Sequence, residues 1–511
     1  MTDWTAGYVT GIGYTHGYYA ELNPLRVKLA FLSAGLVYPE VGTACELGFG
    51  QGVSANMHAA ASVCSWHGTD FNPGQASYAQ ELARASGADV RFSDESFAEF
   101  AGRHDLPDFD YIGLHGIWSW ISDENREVIA DFLRRKLKVG GVVYVSYNTQ
   151  PGWAAFAPMR HLMNQHADVM ASEGAGVLAG VDGALAFAQR LMATNPLYAK
   201  ANPLVAERLD KIQNQDKQYL AHEFFNRDWQ PMPFGSMAQW FESAKLQFAC
   251  SAHYLDHVDA LNLSADQLAF LKEIPDVVFR ESVRDFMVNQ QFRRDYWVKG
   301  VRKLPPLDQA EALRQQRVVL LSHRSDVTLK VTGSLGEAAM TDTLYNPLLD
   351  ALSDHQPKSL QQLEMALQPH GAGFFQLIQA VMVLIGANHL APAQDESVIQ
   401  AAKPRTDKLN MRLMEKARSS NEVQALVSPV TGGGVMLGRF QQLFLLAITK
   451  GQDQPQQWAQ SVWHLLAMQN QQLIKEGKAL TTEEDNLREL NAQAMAFVQK
   501  QLPMLKALKI A

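Results

Sequence analysis

The chain is short of cysteine, of excess positive charge and of long apolar runs, and each shortage excludes a class of protein. Three cysteines, Cys45, Cys64 and Cys250, lie far apart in 511 residues and form no CxxC pair. Neither a disulfide framework nor a cysteine-rich zinc site can be built from them. Forty-five Lys and Arg stand against 53 Asp and Glu, giving a formal net charge of −8. Affinity for nucleic-acid backbones comes largely from basic side chains, so this balance points away from a nucleic-acid partner. No apolar run approaches the ~20 residues of a membrane span. The N-terminus, Met1-Thr2-Asp3-Trp4, lacks the basic and apolar parts of a secretion signal. A cytoplasmic protein is expected.

What is present is an ordinary globular composition, 47% hydrophobic and 19% charged. The length suggests roughly two to four domains. From 43 to 147, short apolar runs alternate with amphipathic stretches: strands over 43–47, 67–70, 90–92, 109–114 and 142–145, with helices between them. Pro73 suits the first turn of the second helix, and Ser122 is a natural N-cap for a helix over 122–137. Strands alternating with helices imply an α/β domain with a parallel-rich, Rossmann-like sheet covered on both faces. Helices follow over 156–170, 181–192 and 203–220, and 245–254 can return a strand to the sheet. Phe279, Val283 and Phe286 recur at helical spacing in a stretch rich in Arg and Asp that runs to Trp297. Pro305-Pro306 reads as a boundary. Beyond it come a small β element (318–331), two or three short helices (341–386) and a largely helical end.

The chemistry concentrates in Glu46-Leu47-Gly48-Phe49-Gly50-Gln51-Gly52, between the first strand and its helix. Glycines at 48, 50 and 52 allow a sharp turn and close approach of main chain to a ligand. The helix N-terminus beyond them favours a carboxylate. A dinucleotide loop, GxGxxG, needs glycine at 53, where Val53 stands. The spacing is instead the acidic-x-G-x-G-x-G form of class I methyltransferases, whose donor is S-adenosylmethionine (SAM). Glu46 is placed to order the loop near the donor's ammonium. Asp70, ending the second strand, is placed for the ribose hydroxyls, Asp94, after the third, for the adenine amino group, and Phe71 for the ring face.

The fourth strand ends in Leu114-His115-Gly116-Ile117-Trp118-Ser119-Trp120. Aromatics cluster here and near the N-terminus: Trp118, Trp120, Tyr147, Tyr8, Tyr14, Tyr18 and Tyr19. An aromatic-lined channel suits a lysine side chain, because rings attract ammonium and tolerate its methylated forms. Desolvation there lowers a lysine pKa, and neutral His115 or a tyrosine hydroxyl such as that of Tyr14 can orient the lone pair. His115 equally suits a donor contact, and Trp118 and Trp120 equally suit the core.

Together with Tyr14-Thr15-His16-Gly17-Tyr18-Tyr19, Tyr144-Val145-Ser146-Tyr147-Asn148, Tyr219-Leu220-Ala221-His222-Glu223-Phe224-Phe225-Asn226 and Asn289-Gln290-Gln291-Phe292-Arg293-Arg294, these strings give a specific resemblance. The chain resembles bacterial class I SAM-dependent methyltransferases with a methyltransferase regulatory domain, a family that includes rickettsial protein lysine methyltransferases acting on an outer-membrane protein. The resemblance implies SAM binding through Glu46, Gly48, Gly50, Gly52, Asp70 and Asp94, and methylation of a protein lysine. The N-terminal string departs from the Thr-His-Pro form of the rickettsial enzymes, which implies a sister subgroup. Domains are expected at 1–215 (methyltransferase, with a helical extension from about 151), 216–303 (regulatory) and 304–511 (C-terminal, partly winged-helix-like).

His222-Glu223-Phe224-Phe225-Asn226 begins like a zinc-protease helix, but Asn226 replaces the second histidine and no metal site is expected. Between 340 and 400 the only Lys or Arg is Lys358, against six acidic residues. A helix-turn-helix there would repel phosphate, which favours substrate recruitment or a homodimer contact. Methylation of a small molecule or glycan, or a non-catalytic SAM-binding module, are the competing readings.

Overall fold

The computed structural model describes residues 14–170, 176–215 and 217–511; Tyr8 lies outside them. Seven strands form the central sheet, in the order β3-β2-β1-β4-β5-β7-β6. The first five, β1 (Thr43–Leu47), β2 (Ser65–Thr69), β3 (Val90–Ser93), β4 (Phe109–Leu114) and β5 (Leu137–Asn148), are parallel. Burial on both faces explains their unbroken apolar runs: Ala44, Cys45, Ile112, Leu114, Val143 and Val145 are all inaccessible. Helices α1 (Val53–Ala61) and α2 (Pro73–Ser86) form the crossovers of the first half. Asn72 caps α2 with its side chain and Pro73 opens it. Ser122 caps α3 (Asp123–Lys136) as its sequence position suggests.

The expected strand near 245–254 is β6 (Leu246–Ser251). It pairs with β7 (Phe292–Lys299), which runs antiparallel to both β5 and β6. The charged stretch that carries the helical spacing of Phe279, Val283 and Phe286 therefore divides into a helix and a strand before Trp297. The helix Val277–Met287 stops, Asn289 takes a left-handed φ of 49°, and the chain becomes β7. Its charges hid the strand. Arg293 and Asp295 are buried and paired: Arg293 Nε lies 2.9 Å from Asp295 Oδ2, and Nη1 lies 2.5 Å from Asp285 Oδ1. The Tyr147 hydroxyl donates to Asp295 at 3.0 Å. The helix expected over 203–220 is likewise two helices, with a turn at 213–215 between them.

Between β5 and β6 the chain forms a helical layer: α4 (Ala157–Met170), α5 (Val177–Ala193), α6 (Leu197–Ala201), α7 (Leu204–Ile212) and α8 (Lys217–Phe224). Its own core contains Trp153, Phe156, Met163, Val181, Leu209 and Phe224.

After Pro306, strands Arg317–Leu320, Lys358–Ser359 and Leu390–Ala393 form a three-stranded antiparallel sheet with helices Asp342–Ala351, Leu360–Leu367 and Phe374–Gly386. Phe374–Gly386 owes its apolarity to core packing, with Leu377 through Ile385 largely buried. No single helix among the described residues is long and apolar enough to cross a membrane.

The long helix Glu396–Lys416 lies against α1 and α2, and Arg412 and Lys416 reach Glu81 of α2 at 2.5 and 3.0 Å. Gln394 donates to the Ala61 carbonyl at 2.7 Å. All nine residues of α1 are consequently buried. The C-terminal half, chemically quiet in sequence, clamps the helix that follows the glycine loop.

Candidate active site

The glycine loop closes as its spacing requires. Gly48, Gly50 and Gly52 have φ values of 69°, 59° and 66°. At Gly52 the need is absolute: a Cβ would stand 2.5 Å from the Ala79 Cβ of α2. Gly52 therefore brings α1 against α2 and caps α1, while Gly48 and Gly50 face a cavity of about 210 Å³.

Two acids meet in that cavity. The Gly50 N–H donates to Asp70 Oδ2 at 2.8 Å, and the Asn72 N–H donates to Oδ1 at 3.1 Å. Each Asp70 oxygen thus receives one main-chain donor and retains accepting capacity. Burial pushes the Asp70 carboxyl up to about 6. Glu46 is buried deeper, and its Oε2 has no hydrogen-bond partner among the described residues. Burial first, and the neighbouring Asp70 second, push it up to about 8. A buried acid without a cation is costly to ionise. Phe71 lines the same space, with Phe49 and Phe97.

Asp94 corrects the sequence reading. It is exposed and does not line the cavity, whereas the next residue, Glu95, does. Successive side chains of an extended segment point to opposite sides, so one residue of phase decides which acid faces inward. The phase is held by the Thr69 hydroxyl, which donates to the Glu95 carbonyl. The Glu95 carboxylate accepts from Ser93 Oγ at 2.9 Å.

A second cavity, about 710 Å³, lies between the ends of β4 and β5 and helices α7 and α8. Tyr14, Tyr19, His115, Gly116 and Trp120 line both cavities and mark their junction. His115 stacks on Tyr19, with ring centroids 3.8 Å apart, and its Nδ1 lies 2.9 Å from the Tyr144 hydroxyl. Burial lowers its pKa to about 4, so it is neutral at neutral pH. Tyr14 meets the His222 ring edge-on at 5.2 Å.

Trp118 does not reach either cavity. It is fully buried, packed on Trp240 and Phe241 at 6.1 and 5.2 Å, and belongs to the core. The short turn Trp118–Trp120 winds Trp120 to the cavity side instead. Glu95, Glu207, Glu223 and Asp228 are lining acids that the sequence did not single out. Glu223 sits in a string noticed only for its failure to bind zinc, next to Asn226, whose amide donates to the His222 carbonyl at 2.6 Å.

Comparison with known proteins agrees with this geometry. A methyltransferase-domain family model matches residues 44–141, and a model described as a predicted methyltransferase regulatory domain matches 216–299. An uncharacterized protein of Synechocystis sp., sll1526, is 39% identical over 99% of this chain and 100% of its own length. An uncharacterized protein of Rickettsia prowazekii, RP789, is 27% identical over 54% of this chain and 49% of its own. The solved structure of PKMT2 from Rickettsia typhi in complex with AdoHcy is similar over 97% of this chain and 99% of that one, with a TM-score of 0.70 and 16% identity. Fold, glycine loop and family models together define a class I SAM-dependent methyltransferase carrying a methyltransferase regulatory domain. Within that class, the chain belongs to the family of the Synechocystis protein sll1526.

Proposed function

We propose that the smaller cavity holds SAM and the larger one admits a protein lysine, so that the two meet at His115. The observation that carries this reading is the shared wall of Tyr14, Tyr19, His115, Gly116 and Trp120, with Glu46 and Asp70 on the donor side and Trp153, Phe156 and Tyr219 on the acceptor side. The unpartnered Glu46 oxygen fits the donor's ammonium, Asp70 its ribose hydroxyls, and Phe71 and Glu95 the base. Gly48 and Gly50 offer bare main chain alongside. SAM, when bound, supplies an electrophilic methyl for in-line displacement by an amine.

The protein's own contribution is positioning and desolvation. Neutral His115 adds no charge that would repel an incoming ammonium, and both it and Tyr14 can accept a hydrogen bond from the amine. Exclusion of water as the acceptor enters the cavity favours release of its proton by disfavouring its charged form. Similarity to PKMT2, solved with AdoHcy, supports both the donor and a protein lysine as acceptor.

Methyl-labelled SAM incubated with a bacterial lysate and this enzyme, followed by mass spectrometry, tests the reading. Label at lysine Nζ is expected. Label confined to small molecules overturns the lysine assignment, and failure of both SAM and AdoHcy to raise the melting temperature overturns the donor assignment.

A further inference from the structure

We propose that Glu223 selects the acceptor, its carboxylate serving as counter-ion to the ammonium of the incoming amine. The segment matched by the regulatory-domain model would then be a wall of the acceptor site. This rests on the reading that the larger cavity takes an amine.

Two acids line that cavity, Glu207 and Glu223. Glu207 is exposed, whereas Glu223, on α8, faces inward among Trp120, Trp153, Phe156, Tyr219 and Phe292. Among the described residues, no Lys or Arg forms an ion pair with Glu223. Arg208 and Lys211 also line the cavity, and Arg160 and Arg208 act on Glu223 from a distance without pairing with it. Arg208 lies over the Trp153 ring at 3.7 Å, and Arg160 lies over Trp229 at 4.3 Å while donating to the Asn226 carbonyl at 3.1 Å. Burial raises the Glu223 carboxyl above its ordinary value, against the lowering influence of Asn148, Arg160 and Arg208.

Asn148 hydrogen-bonds to Glu223, but a carboxylate in an aromatic cavity with no ion-pair partner is a poor use of stability unless a cation arrives to offset its desolvation. An ammonium satisfies it and also gains from the surrounding ring faces, through every methylation state. A hydroxyl acceptor gains neither, so the pair of features discriminates amines from alcohols. Glu223 is also tied to the donor side, because its neighbour His222 packs on Tyr14 at the junction.

Calorimetric titration of the full-length protein with n-butylammonium and with 1-butanol, in the presence and absence of AdoHcy, tests the inference without turnover. Wild type is expected to prefer the ammonium by about tenfold or more, as for a charge-assisted contact. Glu223→Gln is expected to erase the preference, Glu223→Asp to weaken it, and Glu207→Gln to keep it. Unchanged AdoHcy affinity and melting temperature in Glu223→Gln verify the fold, and Glu223→Asp carries the test if the glutamine variant does not fold. Absence of a preference in wild type, or a preference unaltered by both Glu223 variants, overturns the proposal. The labelling experiment stands apart: unlabelled lysines with a Glu223-dependent ammonium preference would remove the lysine substrate and leave the amine site.

Discussion

Replacing Glu46 by Gln tests the electrostatic design of the donor cavity. In an open chain its carboxyl titrates near 4.5, and in the folded, ligand-free protein it is pushed up to about 8, first by burial and then by Asp70. Below the lower value both states carry the proton, and Glu46 leaves stability untouched. Between the two, the unfolded chain releases a proton that the folded protein keeps, so stability falls as pH rises. Above about 8 the loss is complete. At about 1.4 kcal/mol for each pKa unit, the deficit is about 3 kcal/mol at pH 7 and approaches about 5 at high pH. Asp70, raised to about 6, adds a smaller deficit of the same sign over a more acidic range.

Glu46→Gln should therefore stabilise the ligand-free protein by about 3 kcal/mol at pH 7 and flatten its stability profile from pH 6 to 8. It should also weaken SAM binding by about ten- to a hundredfold, through loss of a charged hydrogen-bond partner. Because the wild-type carboxyl must ionise to meet an ammonium, SAM binding at pH 7 should release a proton, and the variant should not. Thermal denaturation across pH, with calorimetry in two buffers of different ionisation enthalpy, reads all three effects. Parallel stability profiles for the two proteins, or no proton release by wild type, would refute the reasoning.

Other substitutions separate parts that look alike in sequence. Gly52→Ala should destabilise the protein by about 2–4 kcal/mol, from an unfavourable φ and the Ala79 clash, seen as a lower denaturation midpoint. Asp94→Ala should leave SAM affinity as it is while Glu95→Ala lowers it; equal losses in calorimetry would argue against the inward phase of Glu95. Trp118→Ala should cost about 3–5 kcal/mol in urea denaturation as a core cavity. Trp120→Ala should instead leave the midpoint nearly unchanged and reduce turnover.

Sequence alone determined the parts whose chemistry is local. Three glycines at alternate positions, an acid before them and an acid closing the next strand encode backbone geometry, and the backbone turns where they say. The same holds for the Ser122 cap, the Pro73 start and the alternation that makes the sheet parallel. Tertiary structure alone decided which side of the backbone a side chain faces. Asp94 and Glu95, like Trp118 and Trp120, are close neighbours of similar type, and only the packed surroundings assign one to the cavity and the other to solvent or core. Strand β7 was illegible for a related reason: buried Arg293 is neutralised by Asp295 on its own strand and by Asp285 of the preceding helix, so a charged string is interior. Glu223 acquires its meaning only when α8 carries it to the ends of β4 and β5, strands 70 residues and more before it. Spacing along a chain specifies turns and periods, whereas a pocket is made by residues distant in sequence whose faces only the assembled core can choose.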